Sequence, residues 1–258
     1  VLRLCSLGSG SSGNSLVAEA KDGLATTRIL VDNGFNLRQL TRRLARAGLG
    51  VESLAGIFVT HEHSDHSAGV AALSRRHGVP VYCTAGTASA CSFAELGVEW
   101  IRIAAGTVVE LGALRVEAYA VPHDASEPVQ YTFTDGSRRA GLLTDAGESS
   151  DNIVQALGGL DALVLECNHD LQMLQQGAYP GFLKRRIAGD LGHLSNEQAA
   201  AILGSVDRSR LRWVAAAHLS AANNRPELAQ RALAGILQCE SREVLVAEQS
   251  AGLDWHAA

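Results

Sequence analysis

No apolar run in the 258-residue chain approaches the roughly 18 residues that a membrane-spanning helix needs, so no membrane partner is expected. No basic stretch followed by an apolar core opens the sequence, and no secretory signal is expected. Disulfide-forming spacing is also missing. Cys5, Cys83, Cys91, Cys167 and Cys239 are odd in number and lie far apart, which argues for a reducing compartment, with the cytoplasm as the expected location. Positive charge is short: 22 Lys and Arg stand against 27 Asp and Glu, a net charge of −5. Nucleic-acid binders are more often basic, so composition alone does not advertise one. Lysine is almost absent, with only Lys21 and Lys184. We read the arginine excess as coding bias. There is no fixed-period repeat and no internal low-complexity linker.

What is present is a recurring pattern: a short apolar strand with a polar residue at its carboxyl end. It occurs in "GIFVTHEHSDH", "VEAYAVPHDA", "AGLLTDAG", "DALVLECNHD" and "LRWVAAAHLS". Helical spacing fills 36–48, 67–78, 150–158, 196–204 and 226–238. Continuous apolar strands are buried on both faces, which predicts helices on both sides of the sheets. Ligands in such folds collect at the carboxyl ends of strands, so these strand ends should converge on one rim. In "LRQLTRRLARAG", Leu37, Leu40 and Leu44 mark a buried stripe, and Arg38, Arg42 and Arg46 are expected on a solvated face.

The stretch "CSLGSGSSGNSLV" looks like a flexible linker by composition. It stands between "LRLCSL" and "SLVAEA", two strand patterns that need to pair. Gly8 to Asn14 is therefore read as the connection of a β-hairpin.

The strongest chemical signal is "THEHSDH", Thr60 to His66. In extended chain, residues two apart point the same way, so His61 and His63 can grip one ion. The chain then turns, and Asp65 and His66 can face a second. Imidazole and carboxylate donors suit Zn²⁺, and also Mn²⁺ or Fe²⁺.

With this H-x-H-x-D-H motif after an apolar strand, the sequence resembles the metallo-β-lactamase superfamily along essentially its whole length. The resemblance implies an α/β fold, a four-layer αβ/βα sandwich, with residues 1–258 forming one domain built from two αβ halves. It implies that His123 completes the first metal site with His61 and His63. His218 completes the second with Asp65 and His66, and Asp145 bridges the two. Two divalent ions per chain, most readily Zn²⁺, would then activate a bridging hydroxide. With two carboxylates and a hydroxide against four positive charges, the centre keeps net positive charge and should attract an anion.

Five further stretches resemble the YycJ/WalJ (VicX)-like subgroup: "GSGSSGNS" (8–15), "VTHEHSDHSAG" (59–69), "LECNHDLQML" (165–174), "YPGFLKRRIAGDLGHLSNEQAA" (179–200) and "HLSAANN" (218–224). That subgroup implies a phosphodiesterase acting as a 5′→3′ exonuclease on DNA, in a repair setting. The second half is also similar to the RNase Z-type branch in the order Glu166, His193, His218. The catalytic expectation falls on Asp65, His193 and Glu166. His193 would donate to a scissile phosphate or leaving oxygen, oriented by Glu166 or Asp170. Ser195 and Gln198 fit a capping box, which would put His193 at a helix N-terminus suited to anions. Ser11, Ser12, Asn14, His169, His193 and Lys184 are the expected substrate contacts, with His169 alternatively bracing a ligand. Two other readings stay open: an MBL-fold hydrolase of a cyclic phosphodiester, lactone or thioester, and a non-enzymatic partner that kept the fold.

Overall fold

The computed structural model describes all residues, Val1–Ala258. One seven-stranded sheet holds β1 (Leu2–Gly8), β2 (Ser15–Asp22), β3 (Ala25–Val31), β4 (Gly56–Phe58), β5 (Val81–Cys83) and β6 (Trp100–Arg102) in that order, and β14 (Leu253–Ala257) pairs with β1 at its edge. The other sheet runs from β7 (Val108–Leu111) through β8 (Leu114–Ala120), β9 (Val129–Thr134), β10 (Arg139–Leu143), β11 (Ala162–Glu166) and β12 (Trp213–Ala217) to β13 (Leu245–Val246). In each sheet one half is antiparallel and the other parallel: β3 to β6 in the first, β10 to β13 in the second.

The helices are α1 (Leu37–Arg46), α2 (Ser64–Ser67), α3 (Val70–His77), α4 (Ala85–Ala90), α5 (Asp151–Leu157), α6 (Leu171–Gln176), α7 (Gly181–Ile187), α8 (Asn196–Ser205) and α9 (Pro226–Leu237). None is long and apolar enough to cross a membrane. The sequence spacing anticipates α1, α5, α8 and α9 to within two residues at either end. The segment 67–78 differs, because the chain breaks between α2 and α3 at Ala68 and Gly69.

Four layers require three apolar interfaces, and three separate clusters supply them. Leu4, Ile29, Phe58, Tyr131 and Val164 pack between the sheets. Leu163, Leu165, Ile202 and Leu233 pack under α5, α8 and α9. Leu30, Leu40, Ile57 and Leu73 pack under α1 and α3. Alternate residues of one strand feed opposite clusters, which is why these strands read as unbroken apolar runs. The fold is the αβ/βα sandwich that the strand pattern and the motif implied.

Gly8 to Asn14 joins β1 to β2 as a hairpin, with Gly8 opposite Ser15. Gly13 has φ of 143°, and a Cβ there would lie 2.5 Å from the Phe35 ring, so both backbone and packing demand glycine. Arg38, Arg42 and Arg46 are exposed on α1, as expected. Arg46 also joins Arg43 in donating to the carbonyls of Leu7 and Ser250, tying α1 to β1 and to the segment before β14.

Candidate metal centre

Strands β3, β4, β8, β10, β11 and β12 end on one rim, and each delivers chemistry just beyond or at its last residue. Asp32 follows β3, Thr60 and His61 follow β4, His123 follows β8, Asp145 follows β10, Glu166 ends β11 and His218 follows β12. Asp32, Asp145 and His218 all adopt left-handed backbone, with φ of 58°, 57° and 53°. That conformation costs a non-glycine residue on the order of 1–3 kcal/mol, and three such strand ends at one rim mark a place where the fold holds strain to aim side chains.

The donor atoms of His61, His63 and His123 lie within 4.8 Å of one another, and so do those of Asp65, His66 and His218. Asp145 lies with His61 and His66 in one such group and with Glu166, His193 and His218 in another. Its Oδ2 is 3.0 Å from His66 Nε2, and its Oδ1 is 3.5 Å from His218 Nδ1 and 3.9 Å from His123 Nε2. The seven residues expected as ligands thus stand together, with Asp145 between the two triads.

Each buried imidazole of the two triads is fixed through Nδ1. His61 Nδ1 meets Thr60 Oγ1 at 2.9 Å, and His66 Nδ1 meets Asp32 Oδ2 at 2.8 Å. His123 Nδ1 meets the Gly192 carbonyl at 3.0 Å, and His218 Nδ1 meets Glu166 Oε1 at 3.0 Å. Asp32 also accepts from the Thr60 amide and hydroxyl, both at 2.8 Å. Anchoring one ring nitrogen fixes the tautomer and aims the other at the centre. His63 is turned the other way round, with Nδ1 3.3 Å from His123 Nε2. His61 Nε2 is buried and has no hydrogen-bond partner. Buried polar atoms are rarely left so, and a cation held with His63 and His123 would satisfy it. The residues present fit divalent ions.

Charge is distributed accordingly. Burial works against protonated His66 and His218, but Asp145 and Asp32 hold His66 well above the usual histidine range. Asp145, Asp65 and Glu166 raise His218 to about 10. Burial, reinforced by His66 and the other imidazoles, pushes His61 well below that range. Burial opposes charge on Asp145 too, yet His218, His66 and His61 keep its carboxyl far down. A metal ion entering the triads would displace protons from these imidazoles.

Glu166 is fully buried. Its Oε1 accepts from His193 Nδ1 at 2.9 Å as well as from His218, and its Oε2 accepts from the amides of Ala146 and Leu194 at 3.1 and 3.2 Å. Its pKa falls to about 2; burial opposes this, but His193 and His218 prevail. Of the two expected orienting groups for His193, Glu166 occupies that place. Asp170 instead caps α6 by accepting from the Met173 amide. Ser195 and Gln198 form the expected capping box. That box fills the α8 terminus with its own side chains, and Ser195 is buried. The helix end is therefore closed to an outside anion, and His193 precedes it rather than sharing it.

The expected substrate contacts separate. Ser11 and Ser12 are exposed on the hairpin turn, and the Ser12 amide donates to Gln249 Oε1. Asn14 is buried against the second triad, with Nδ2 3.0 Å from His66 Nε2 and 3.3 Å from Asp65 Oδ2. His193 keeps 23 % of its side chain exposed. His169 is fully buried beneath α8, bridged to Ser195, with neither ring nitrogen hydrogen-bonded. It offers a substrate no surface, and no ring nitrogen of it holds a ligand. Lys184 donates to the Gln175 carbonyl, while its neighbour Arg186 pairs with Asp124 beside the rim.

Sequence reasoning missed Asp32 and Thr60. The signal for Asp32 was present, since "RILVDN" ends a strand in a polar residue as the other five do. Asp124, next to His123, also escaped notice. Its Oδ1 lies 3.6 Å from His123 Nε2 and 3.8 Å from His63 Nε2.

A profile of the β-lactamase superfamily domain matches residues 27–214. The chain is 37% identical to exodeoxyribonuclease YycJ of Bacillus anthracis over 235 residues, covering 90% of this chain and 88% of that one. It is 37% identical to exodeoxyribonuclease WalJ of Streptococcus pneumoniae over 228 residues, covering 86% and 83%. Among solved structures, the metallo-β-lactamase fold protein YhfI from Bacillus subtilis superposes over the full length of both chains with a TM-score of 0.74 at 16% identity, a likeness of fold.

Proposed function

The chain belongs to the β-lactamase superfamily and to its YycJ/WalJ-like proteins, a metal-dependent hydrolase, and from that premise we propose that it is a dinuclear exonuclease releasing nucleotides from DNA ends in the 5′→3′ direction. On this reading residues 1–258 serve as one catalytic domain, and the two relatives named exodeoxyribonuclease support the choice of DNA. The observation that carries the proposal is the pair of three-donor groups flanking Asp145, in which every buried imidazole is already aimed by a second partner on Nδ1.

His61, His63 and His123 would hold one ion, Asp65, His66 and His218 the other, and Asp145 both. Zn²⁺ suits the imidazole-rich set best, with Mn²⁺ the alternative. Bound there, divalent cations would supply Lewis acidity toward phosphoryl oxygens and would lower the pKa of water from about 15.7 to about 7. The chain's own groups do the rest. Glu166 holds His193 Nδ1 and leaves Nε2 free of it, on a residue that lines the open cavity beside the rim. Protonated under that carboxylate, His193 donates from Nε2 to the leaving oxygen as the phosphodiester breaks. Glu166 is buried and acts by positioning His193 and His218. Asp32 and Thr60 keep His66 and His61 in register with the second and first sites.

Metal-supplemented digestion of end-labelled DNA and RNA, run beside chromogenic phosphodiester, lactam and thioester substrates, tests the proposal. Stepwise loss of nucleotides from DNA under Zn²⁺ or Mn²⁺, with close to two equivalents of metal by elemental analysis, is the expected result. Efficient lactam or thioester turnover without nuclease activity rejects it.

A further inference from the structure

A cavity of about 230 Å³ opens beside His63 and His193, on the side of the first triad. Tyr179, Leu183 and Ile187 form its apolar wall, and Arg186 and Asp124 its polar edge. The wall belongs largely to α7, which contains no buried residue. A seven-residue helix with no fully buried residue, whose Leu183 and Ile187 are half-buried at this cavity, is too short to be stable alone. Its side chains therefore call for another explanation than the core. The helix is fastened to the His123 loop by Arg186 Nε, 2.6 Å from Asp124 Oδ2. An exposed pair of this kind contributes little to stability. What it does is fix the distance between the cavity wall and the rim.

We propose that this cavity seats the base of the nucleotide being released, with Tyr179 as its stacking face and Leu183 as a further apolar contact, so that these two residues restrict the enzyme to unpaired ends. The inference rests on the nuclease reading above. Three features carry it. The cavity shares His63 and His193 with the reacting centre, so an occupant can be joined to the scissile phosphate. An aromatic and two aliphatic side chains match a flat ring. The volume is below the roughly 300–1,000 Å³ of pockets that take drug-sized ligands. It accommodates one ring system and not a base pair. Stacking is tolerant of base identity, because every base has a π-face. The expected substrate class is therefore a single-stranded or frayed end of any sequence.

The test uses the metal-loaded full chain and two identical labelled single strands, one with a natural terminal nucleotide and one whose terminal nucleotide lacks its base. Stacking on one aromatic contributes about tenfold to about a hundredfold. The wild type should cut the abasic end slower by that factor, and a flush duplex end slower than the single strand. Tyr179→Ala, which removes the face, and Leu183→Trp, which fills the cavity, should each bring the natural-to-abasic ratio close to one. The ratio is measured within each variant, so a partly misfolded preparation does not alter it. Equal cutting of the two ends by the wild type, or a wild-type ratio in both variants, overturns the cavity assignment while leaving the nuclease reading intact. A wild type that hydrolyses bis(p-nitrophenyl) phosphate but cuts no nucleic acid overturns both.

Discussion

Strand β11 carries a buried carboxylate at each end. Asp161, just before its first residue, is met by Arg138 at 2.7 Å and Arg210 at 2.9 Å. Glu166, its last residue, is met by His193 at 2.9 Å and His218 at 3.0 Å. Both acids are fully buried and both are held ionised, so the electrostatic problem is the same. The partners differ. Arginine is permanently charged and offers no lone pair, so the Asp161 cluster cannot hold a cation. Histidine can give up its proton, turn a bare nitrogen inward and hold a cation. Glu19 repeats the arginine solution in the first sheet, between its direct cross-strand neighbours Arg3 and Arg28. The identity of the partner, not the burial of the acid, separates the working end of the strand from the bracing end.

The sharpest way to break this comparison is Asp145→Ala at the rim. It should cost both metal equivalents much of their affinity and take activity below detection, whereas His123→Ala should weaken mainly one equivalent. Elemental analysis after gel filtration decides; a variant that stays fully loaded and active removes Asp145 from the centre.

Next in size is the contrast between two histidines on the same carboxylate. A positioned proton donor contributes about 10²–10⁴ in rate. His193→Ala should lower turnover by that factor and leave metal content and melting temperature nearly unchanged. His218→Ala should lose metal and activity together. Should His193→Ala shed an equivalent of metal while His218→Ala keeps both, the two roles are exchanged.

Asp32→Ala tests the anchors. Outer partners of ligating histidines typically contribute about 10–100-fold in metal affinity. Chelator competition should show that loss, because His66 would no longer be held through Nδ1. Unchanged affinity would make Asp32 a purely structural residue.

The smallest functional effect belongs to the other end of β11. Asp161→Asn should destabilise the fold by about 1–3 kcal/mol while leaving metal content and specific activity intact. The sign of its pH dependence is set by the direction of the shift. Burial raises the Asp161 carboxyl, but the Arg139 amide, Arg138 and Arg210 outweigh it and hold the carboxyl below its ordinary value of about 3.9. Its contribution is present above that value and is lost as pH falls through the lower folded-state value. Wild-type melting temperature should therefore drop more steeply in acid than that of Asp161→Asn, and parallel curves would refute the assignment.

Much of this arrangement was legible in the sequence because it is local. "THEHSDH" supplies four donors within one turn of chain, and the strand-end residues His123, Asp145, Glu166 and His218 follow apolar runs that can be read by eye. Gly8 to Asn14 was legible as a hairpin because the flanking strands were. What escaped depends on contacts between distant segments. Asp32 reaches His66 from another strand, Asp124 meets Arg186 62 residues later, and Gln249 reaches back to Ser12. Helix α7 escaped for another reason: in seven residues Leu183 and Ile187 give a single i, i+4 apolar pair, too short a period to detect.

The clamp on the first hairpin has a consequence for how the molecule is made. Gln249 holds Ser12 and Gly13, and β14 closes the first sheet on β1, with Arg3 opposite Ala257. Contacts so far apart in sequence form late and slow folding. During synthesis the turn that carries Asn14 emerges early and must wait for the last strand. Nascent chains stalled before Gln249 should leave that turn open to protease, and extension through β14 should protect it. The rim beside Asn14 is thus completed only once β14 has left the ribosome.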